Sequence, residues 1–264
     1  MLGAIIGDVV GSRFEFNNYR HKDFPLFTNY CTPTDDSVMT LAVAEAILNC
    51  RGDYSKLADQ AVACMQKWGR AYPGAGYGGN FRHWLVNPKP QPYNSFGNGS
   101  AMRVSPCGWA AQSLEEAIRL ADLVTAVTHN HPEGMKGAEA TAAAIYLART
   151  GLDQQEIRQY LEKNYYHWDF TLDAIRDTYE FDESCQGSVP QAFEAFFEAQ
   201  SLEETIRNAV SLGGDCDTTG AIAGGVAGAY FGVPEELRRQ VWPFLDQKMR
   251  ATVTAFEKKF MTKA

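Results

Sequence analysis

The chain has 264 residues, 45% of them hydrophobic, and its 24 Lys and Arg against 32 Asp and Glu give a net charge of −8. That length can bury a substantial core without disulfide or metal staples, and the share of apolar and aromatic residues excludes a chain disordered throughout. The acidic balance excludes nucleic-acid binding by broad electrostatics, which needs Lys and Arg in excess, but not a small phosphate-bearing ligand held by backbone N–H groups.

Helical periodicity runs through nearly the whole chain. In residues 1–12, Gly3, Gly7 and Gly11 recur every four positions, on one helix face. An interior glycine costs about 1 kcal/mol against alanine, so three on one stripe imply the close approach of another backbone. This apolar start looks superficially like a signal-peptide core, but it lacks a basic n-region and Asp8 interrupts it, so it reads as mature protein. Pro33-Thr34-Asp35-Asp36 precedes apolar residues at Val38, Leu41, Ala42, Ala46 and Ile47, which predicts a helix start with Thr34 or Asp35 as cap. Residues 55–71 carry Leu57, Ala61, Cys64, Met65 and Trp68 at helical spacing. The stretch 72–108 is rich in glycine and proline and reads as a long loop with a short helix near 80–86; such loops are usually functional.

Further helices are predicted at 114–127, 134–149, 153–163, 189–199, 202–211, 217–231 and 234–261, the last kinked or split at Pro243, with 181–188 a loop. The small residues Ala221, Gly224, Gly225 and Gly228 suit a central buried helix. No stretch alternates long enough for a confident strand, and there is no repeat. The expectation is an all-α, compact, single domain over residues 1–264. The six cysteines form no CxxC pair and read as buried free thiols of a reducing, cytoplasmic setting. No run of ~20 apolar residues exists to cross a membrane.

Two segments concentrate oxygen ligands at helix starts: Thr34-Asp35-Asp36 and Gly213-Gly214-Asp215-Cys216-Asp217-Thr218. In an extended loop Asp215 and Asp217 point the same way and Cys216 the other. If the segments meet, four carboxylates share a small volume, and two unit charges ~5 Å apart repel by roughly 3 kcal/mol even at an effective dielectric near 20. Helix N-termini offset roughly 0.3–1 kcal/mol each, so protons or cations must neutralise the rest. All-oxygen donors favour a hard ion such as Mg²⁺, Mn²⁺ or Ca²⁺. Taken singly, each Asp could simply cap its own helix.

Gly78-Gly79-Asn80 and Ser95-Phe96-Gly97-Asn98-Gly99-Ser100 offer backbone N–H groups and small polar side chains suited to a pyrophosphate, though such loops are more often plain turns. There is no GxGxxG after a strand and no GxxxxGK[ST]. His129 and His131 lack a third ligand for zinc and suit a helix-end hydrogen-bonding role. Arg103 is expected in a buried salt bridge, and Glu15 alone reads as a surface residue.

Taken in order, GDVVGSRFE at 7–15, TDDSVMTLA at 34–42, YGGNF at 77–81, SFGNGSAMRVSP at 95–106, TH at 128–129 and GGDCDTTGAIAGGVAGA at 213–229 resemble the ADP-ribosylglycohydrolase family over nearly all of the chain. The resemblance implies an all-α bundle with a central dinuclear site holding two Mg²⁺, with Mn²⁺ as a possible substitute. It implies Thr34, Asp35 and Asp36 as metal ligands from one side and Asp215, Asp217 and Thr218 from the other, with Glu15 on a flap reaching the metals. Glu15, Asp35 and Asp36 would carry the catalysis. Gly78, Gly79 and Asn80 would form one phosphate loop, Ser95, Phe96, Gly97, Asn98, Gly99 and Ser100 a second, and His129 would lie near the ADP-ribose. The implied activity is hydrolysis of the bond between the distal ribose of ADP-ribose and an acceptor, with ADP-ribosylated protein or another conjugate as partner and ADP-ribose as product. Tyr165, Tyr166, His167, Trp168 and Tyr179 are candidates for the adenine edge or for plain packing. The rival readings are a non-catalytic ADP-ribose-binding or structural homologue on the same scaffold, a metal-dependent nucleotide phosphatase, and an isoprenoid-type synthase, whose usual Asp spacing of i, i+4 is absent.

Overall fold

The computed structural model describes residues 1–261; residues 262–264, the end of the expected domain, lie outside them. Fourteen α-helices follow one another among the described residues: α1 (Leu2–Gly11), α2 (Asp35–Cys50), α3 (Leu57–Ala71), α4 (Gly79–Val86), α5 (Ser105–Ala110), α6 (Leu114–Thr125), α7 (Pro132–Thr150), α8 (Gln154–Asn164), α9 (Leu172–Ile175), α10 (Cys185–Phe197), α11 (Leu202–Val210), α12 (Cys216–Tyr230), α13 (Glu235–Val241) and α14 (Gln247–Phe260). Extended pairing among them is limited to one antiparallel bridge, Gly97 with Ser184.

The centre is the pair α1 and α12. Every residue of α1 is buried, as is Cys216–Gly228 of α12. The two run antiparallel with their backbones in contact. A Cβ on Gly3 would fall 2.2 Å from the Gly224 carbonyl oxygen, one on Gly7 1.9 Å from that of Gly220, and one on Gly11 2.5 Å from the Cα of Asp217. The glycine stripe therefore does what its spacing predicts. It also brings the C-terminal end of α1 against the N-terminal end of α12, and so sets Asp8 beside the Asp217 turn.

Around this seam α2 packs on α3 and α14, α7 on α5, α6 and α12, and α10 and α11 on α12. Thr34 is the cap of α2, its hydroxyl accepting from Asp36 N–H at 3.3 Å. Pro243 splits the C-terminal helix, a 3₁₀ turn at Trp242–Phe244 separating α13 from α14. All six cysteines are free and, Cys50 apart, buried.

Three expectations need correction. The 72–108 loop also holds a 3₁₀ turn at Asn98–Ser100 and the short α5, which begins at Ser105 with Pro106 in its first turn, where a missing N–H costs nothing. The 181–188 loop is shorter than predicted, because α10 starts at Cys185 and carries Pro190 inside it. The predicted start at 189 is four residues late. The Ser184 hydroxyl, accepting from Gly187 N–H at 3.1 Å, is the actual cap. The one-turn α9, capped by Thr171, is too short for periodicity to reveal.

Candidate active site

Segments from along the chain converge on one cavity of about 390 Å³, within the usual range for small-molecule sites. One end is acidic. Oxygens of Asp8, Asp36 and Asp217 lie within 4.8 Å of one another, and so do oxygens of Glu15, Asp215 and Asp217, so Asp217 is common to both triads. The turn before α12 is shaped by Gly213 and Gly214, with φ of 71° and 66°, a region that L side chains rarely adopt. Asp217 sits in the first turn of α12 and not in an extended loop, so the alternation predicted for 215–217 does not operate. Instead Asp217 is held by its carboxylate accepting Thr218 N–H at 3.0 Å, and Asp215 by accepting from the Asn98 amide at 2.6 Å. Thr218 donates its hydroxyl to Asp36 Oδ2 at 3.2 Å, joining the two segments.

Asp8 is the residue that sequence reasoning missed. It appeared only as an interruption of an apolar run, yet its carboxylate accepts from Thr34 N–H and Ser37 N–H, each at 3.0 Å, from the Thr34 hydroxyl at 2.6 Å and from the Ser37 hydroxyl. It thus caps α2 from another helix. The available signal was a charged residue inside a helix whose other nine members are glycine or aliphatic; a buried carboxylate demands partners.

Electrostatically the cluster is unsatisfied as it stands. Among the described residues none of Asp8, Glu15, Asp35, Asp36, Asp215 or Asp217 forms an ion pair with Lys or Arg. Asp36 Oδ1 is buried with no hydrogen-bond partner. Burial first, and then the neighbouring carboxylates, pushes Asp35 up to about 8, Glu15 to about 7, and Asp36 and Asp217 well above the usual carboxylate range. Burial raises Asp8 to about 6 against its four hydrogen bonds, and raises Asp215 as well. Oxygen-only donors, an orphaned buried oxygen and carboxylates whose ionised form lacks a counter-charge suit hard divalent cations, which would displace the protons.

Of the expected metal ligands, Glu15, Asp36, Asp215 and Asp217 lie in the triads. Thr218 lines the cavity beside them, and Thr34 reaches Asp36 Oδ2 at 3.2 Å and Asp8 at 2.6 Å. Asp35 belongs to neither triad; its Oδ1 faces Gly76, 3.1 Å from where a Cβ would stand, at the edge of the first glycine loop. Glu15 is half-buried on the segment between α1 and α2. That segment is tied down by Asn18, whose side-chain oxygen accepts Gly214 N–H at 2.8 Å, and by Arg20, which donates to the carbonyls of Leu212 at 3.0 Å and Tyr179 at 2.5 Å.

The other end of the cavity is lined by Gly78, Gly79 and Asn80 at the start of α4, by Ser95, Phe96, Gly97, Asn98 and Gly99, and by His129. Ser100 departs from expectation: it is fully buried and its hydroxyl donates to the Gly134 carbonyl at 2.8 Å, so it braces the loop from behind. Asn98 turns its amide to Asp215 and Ser188 and stitches the glycine loop to the acidic end. The region 164–188 contributes Phe181 and Glu183 to the lining, and none of Tyr165, Tyr166, His167, Trp168 and Tyr179. Trp168, for instance, is committed to packing on Phe197 and to the Glu194 carboxylate at 2.8 Å. His131 takes the helix-end role, accepting from Glu133 N–H at 3.1 Å to cap α7. Among the described residues the salt bridge expected of Arg103 is absent: this buried guanidinium lines the cavity and bonds to the Val124 carbonyl and the Thr128 hydroxyl. It is the only cation among the lining residues.

Comparison with known proteins agrees with this architecture. A family profile described as ADP-ribosylglycohydrolase matches residues 1–262. The ADP-ribosylhydrolase ARH3 of Homo sapiens is 28% identical, over 89% of this chain and 85% of that protein. The ADP-ribosylarginine hydrolase Tri1 of Pseudomonas putida is 25% identical, over 94% and 75%. A solved structure titled ADP-ribosylglycohydrolase-related protein complex superposes with a TM-score of 0.70 at 24% identity, covering 97% of this chain and 95% of that one, and so shares the fold. The chain belongs to the ADP-ribosylglycohydrolase family and is a hydrolase of glycosyl bonds.

Proposed function

We propose that the protein removes ADP-ribose from an ADP-ribosyl conjugate, cleaving the bond between C1 of the distal ribose and an acceptor nitrogen or oxygen, in a Mg²⁺-dependent reaction carried out within one domain. The observation that carries this is the division of a single cavity into a carboxylate cluster without counter-charges and a wall of glycine loops. Asp36, Asp215, Asp217 and Glu15, with Thr34, Asp35 and Thr218 beside them, would hold a pair of Mg²⁺ ions. When bound, such ions supply electrostatic stabilisation and fix the sugar hydroxyls in place.

The chain's own residues do the rest. Backbone N–H groups of 78–80 and 95–99 would receive the diphosphate, as neutral donors suit an anion in an acidic protein. Phe96, exposed at the rim, and the small glycines leave room for a nucleoside beside it. Holding the distal ribose at the acidic end while the diphosphate is gripped at the other fixes C1 and replaces a search by a preset geometry. Cleavage passes through an oxocarbenium-like state, which the surrounding carboxylates favour electrostatically. Water adds its hydroxyl to C1 and its proton ends on the acceptor, with Asp36 at the floor or Glu15 at the mouth as the group that carries it.

The test is chromatographic detection of free ADP-ribose after incubation with Mg²⁺ and a panel of ADP-ribosylated arginine, serine and nucleic-acid substrates, with chelator controls. Metal-dependent release from one linkage is the expected result and names the acceptor. ADP-ribose binding without release from any of them would move the protein to the binding-only reading.

A further inference from the structure

Arg103 and His129 line the cavity outside the membership of the carboxylate triads, and Thr128 is bonded to both. A guanidinium can only donate. Arg103 Nη2 gives hydrogens to the Val124 carbonyl at 3.1 Å and to Thr128 Oγ1 at 2.6 Å. The Thr128 oxygen, an acceptor toward Arg103, keeps one proton of its own. Two acceptors are within reach: His129 Nδ1 at 2.7 Å and the Thr125 carbonyl at 3.4 Å. The first distance is that of a good hydrogen bond and the second is at the limit of one. A proton on Nδ1 would direct two donors at Thr128 Oγ1 and leave the hydroxyl proton only the long contact. The imidazole is buried, with 5% exposure, and burial followed by the Arg103 charge disfavours its protonated form. A neutral ring that accepts at Nδ1 carries its proton on Nε2. That atom faces the glycine loop: a Cβ on Gly99 would stand 3.4 Å from it and one on Gly97 3.7 Å.

We infer that Arg103 is a positioning residue acting through Thr128, and that this relay fixes His129 as the Nε2–H tautomer, so that the cavity wall presents a ring donor to an anionic ligand oxygen beside the glycine loop. Its role toward ligand rests on the ADP-ribose reading above, whereas the tautomer does not. A histidine with its proton on Nδ1 would turn a lone pair toward the same oxygen and repel it. The relay therefore converts a buried positive charge, which does not itself have to touch the ligand, into a neutral directed donor.

Nitrogen-15 NMR of the metal-free, histidine-labelled protein reads the tautomer directly, and His129→Gln assigns the signal among the five histidines. The expected result is a protonated Nε2 and an unprotonated Nδ1 in the wild type. Thr128→Val keeps the side-chain shape and deletes the hydroxyl. It should populate the Nδ1–H form and weaken ADP-ribose binding to the Mg²⁺-loaded protein by about tenfold, the loss of roughly one hydrogen bond to a charged group; Thr128→Ser should restore both. A wild-type proton on Nδ1 overturns the inference even if no variant folds. So do Thr128→Val spectra that match the wild type, or a changed tautomer with unchanged affinity. A wild type that carries Nε2–H and binds no ADP-ribose keeps the relay and overturns the ligand reading instead.

Discussion

The two ends of the cavity are built on different kinds of scaffold. The acidic end stands on helix starts, Asp36 in the first turn of α2 and Asp217 in that of α12, with Asp8 reaching across from α1. The seam behind it is backbone against backbone. The glycine wall is more mixed: Gly79 and Asn80 open the short α4, while residues 95–97 run as a loop into the 3₁₀ turn at Asn98–Ser100, held by Ser100 behind, the Asn98 side chain across and the Asn98 N–H on the Glu183 carbonyl at 2.7 Å. The difference has a physical reason. Clustered carboxylates repel by several kcal/mol and drift apart unless the frame is stiff, whereas a wall of neutral N–H donors carries no such stress and can be a loop. Rigidity is placed where the charge is.

Substitutions can break that division, and the largest effect is expected at the residue shared by the two carboxylate triads. Asp217→Asn should lower turnover by about a thousandfold or more, beyond the roughly 10–100-fold typical of groups that only orient a ligand, and should lose metal by calorimetry. In chelator the same variant should melt above the wild type, because one member of a buried carboxylate cluster without counter-charges has been removed. Next comes the seam. Gly7→Ala puts a methyl 1.9 Å from the Gly220 carbonyl oxygen and should cost at least about 3 kcal/mol by denaturant unfolding, the upper end of overpacking penalties.

Acidity sharpens the comparison further. Carboxyls of the acidic end titrate above their unfolded value, near 4: Asp8 at about 6, Glu15 at about 7 and Asp35 at about 8. Between those limits the folded chain binds more protons than the unfolded one. The cluster's contribution to stability is thus highest below about pH 4 and falls as pH rises through about 8. The Met1 amino group, lowered to about 5 by burial, and His129, also lowered by burial, act in the opposite sense. The informative quantity is therefore the melting temperature with Mg²⁺ minus that with chelator. It should be small at pH 5 and large at pH 8, because cations bind the ionised cluster. A difference independent of pH would count against metal at this end. The smallest effect belongs to the wall: Phe96→Ala should weaken ADP-ribose binding about three- to tenfold, the scale of one aromatic contact, and leave metal affinity unchanged.

Much of this was legible in the sequence, and for identifiable reasons. The four-residue recurrence of Gly3, Gly7 and Gly11 needs only helix geometry to imply a backbone neighbour, and it found one in Gly220 and Gly224. Thr34 before two aspartates is a local cap signal, and the cap is there. Pro243 breaks the last helix because its ring and missing N–H disfavour a continuous helix there. What stayed hidden depends on contacts between distant segments. Nothing near Asp8 announces Ser37, nothing near Asn98 announces Asp215, and Arg103 is paired with a hydroxyl and a carbonyl, not a carboxylate. The misplaced start of α10 is a different failure: Pro190 is tolerated inside the helix, so a local rule gave way to tertiary packing.

The most direct measurement is anomalous diffraction from crystals of the protein with Mn²⁺ and ADP-ribose. Two manganese peaks within ligand distance of Asp36, Asp215 and Asp217, with the diphosphate against residues 78–80 and 95–99, are the expected result. Manganese bound elsewhere, or a diphosphate lying on the carboxylates through the metal with the glycine loops empty, would contradict the division of the cavity.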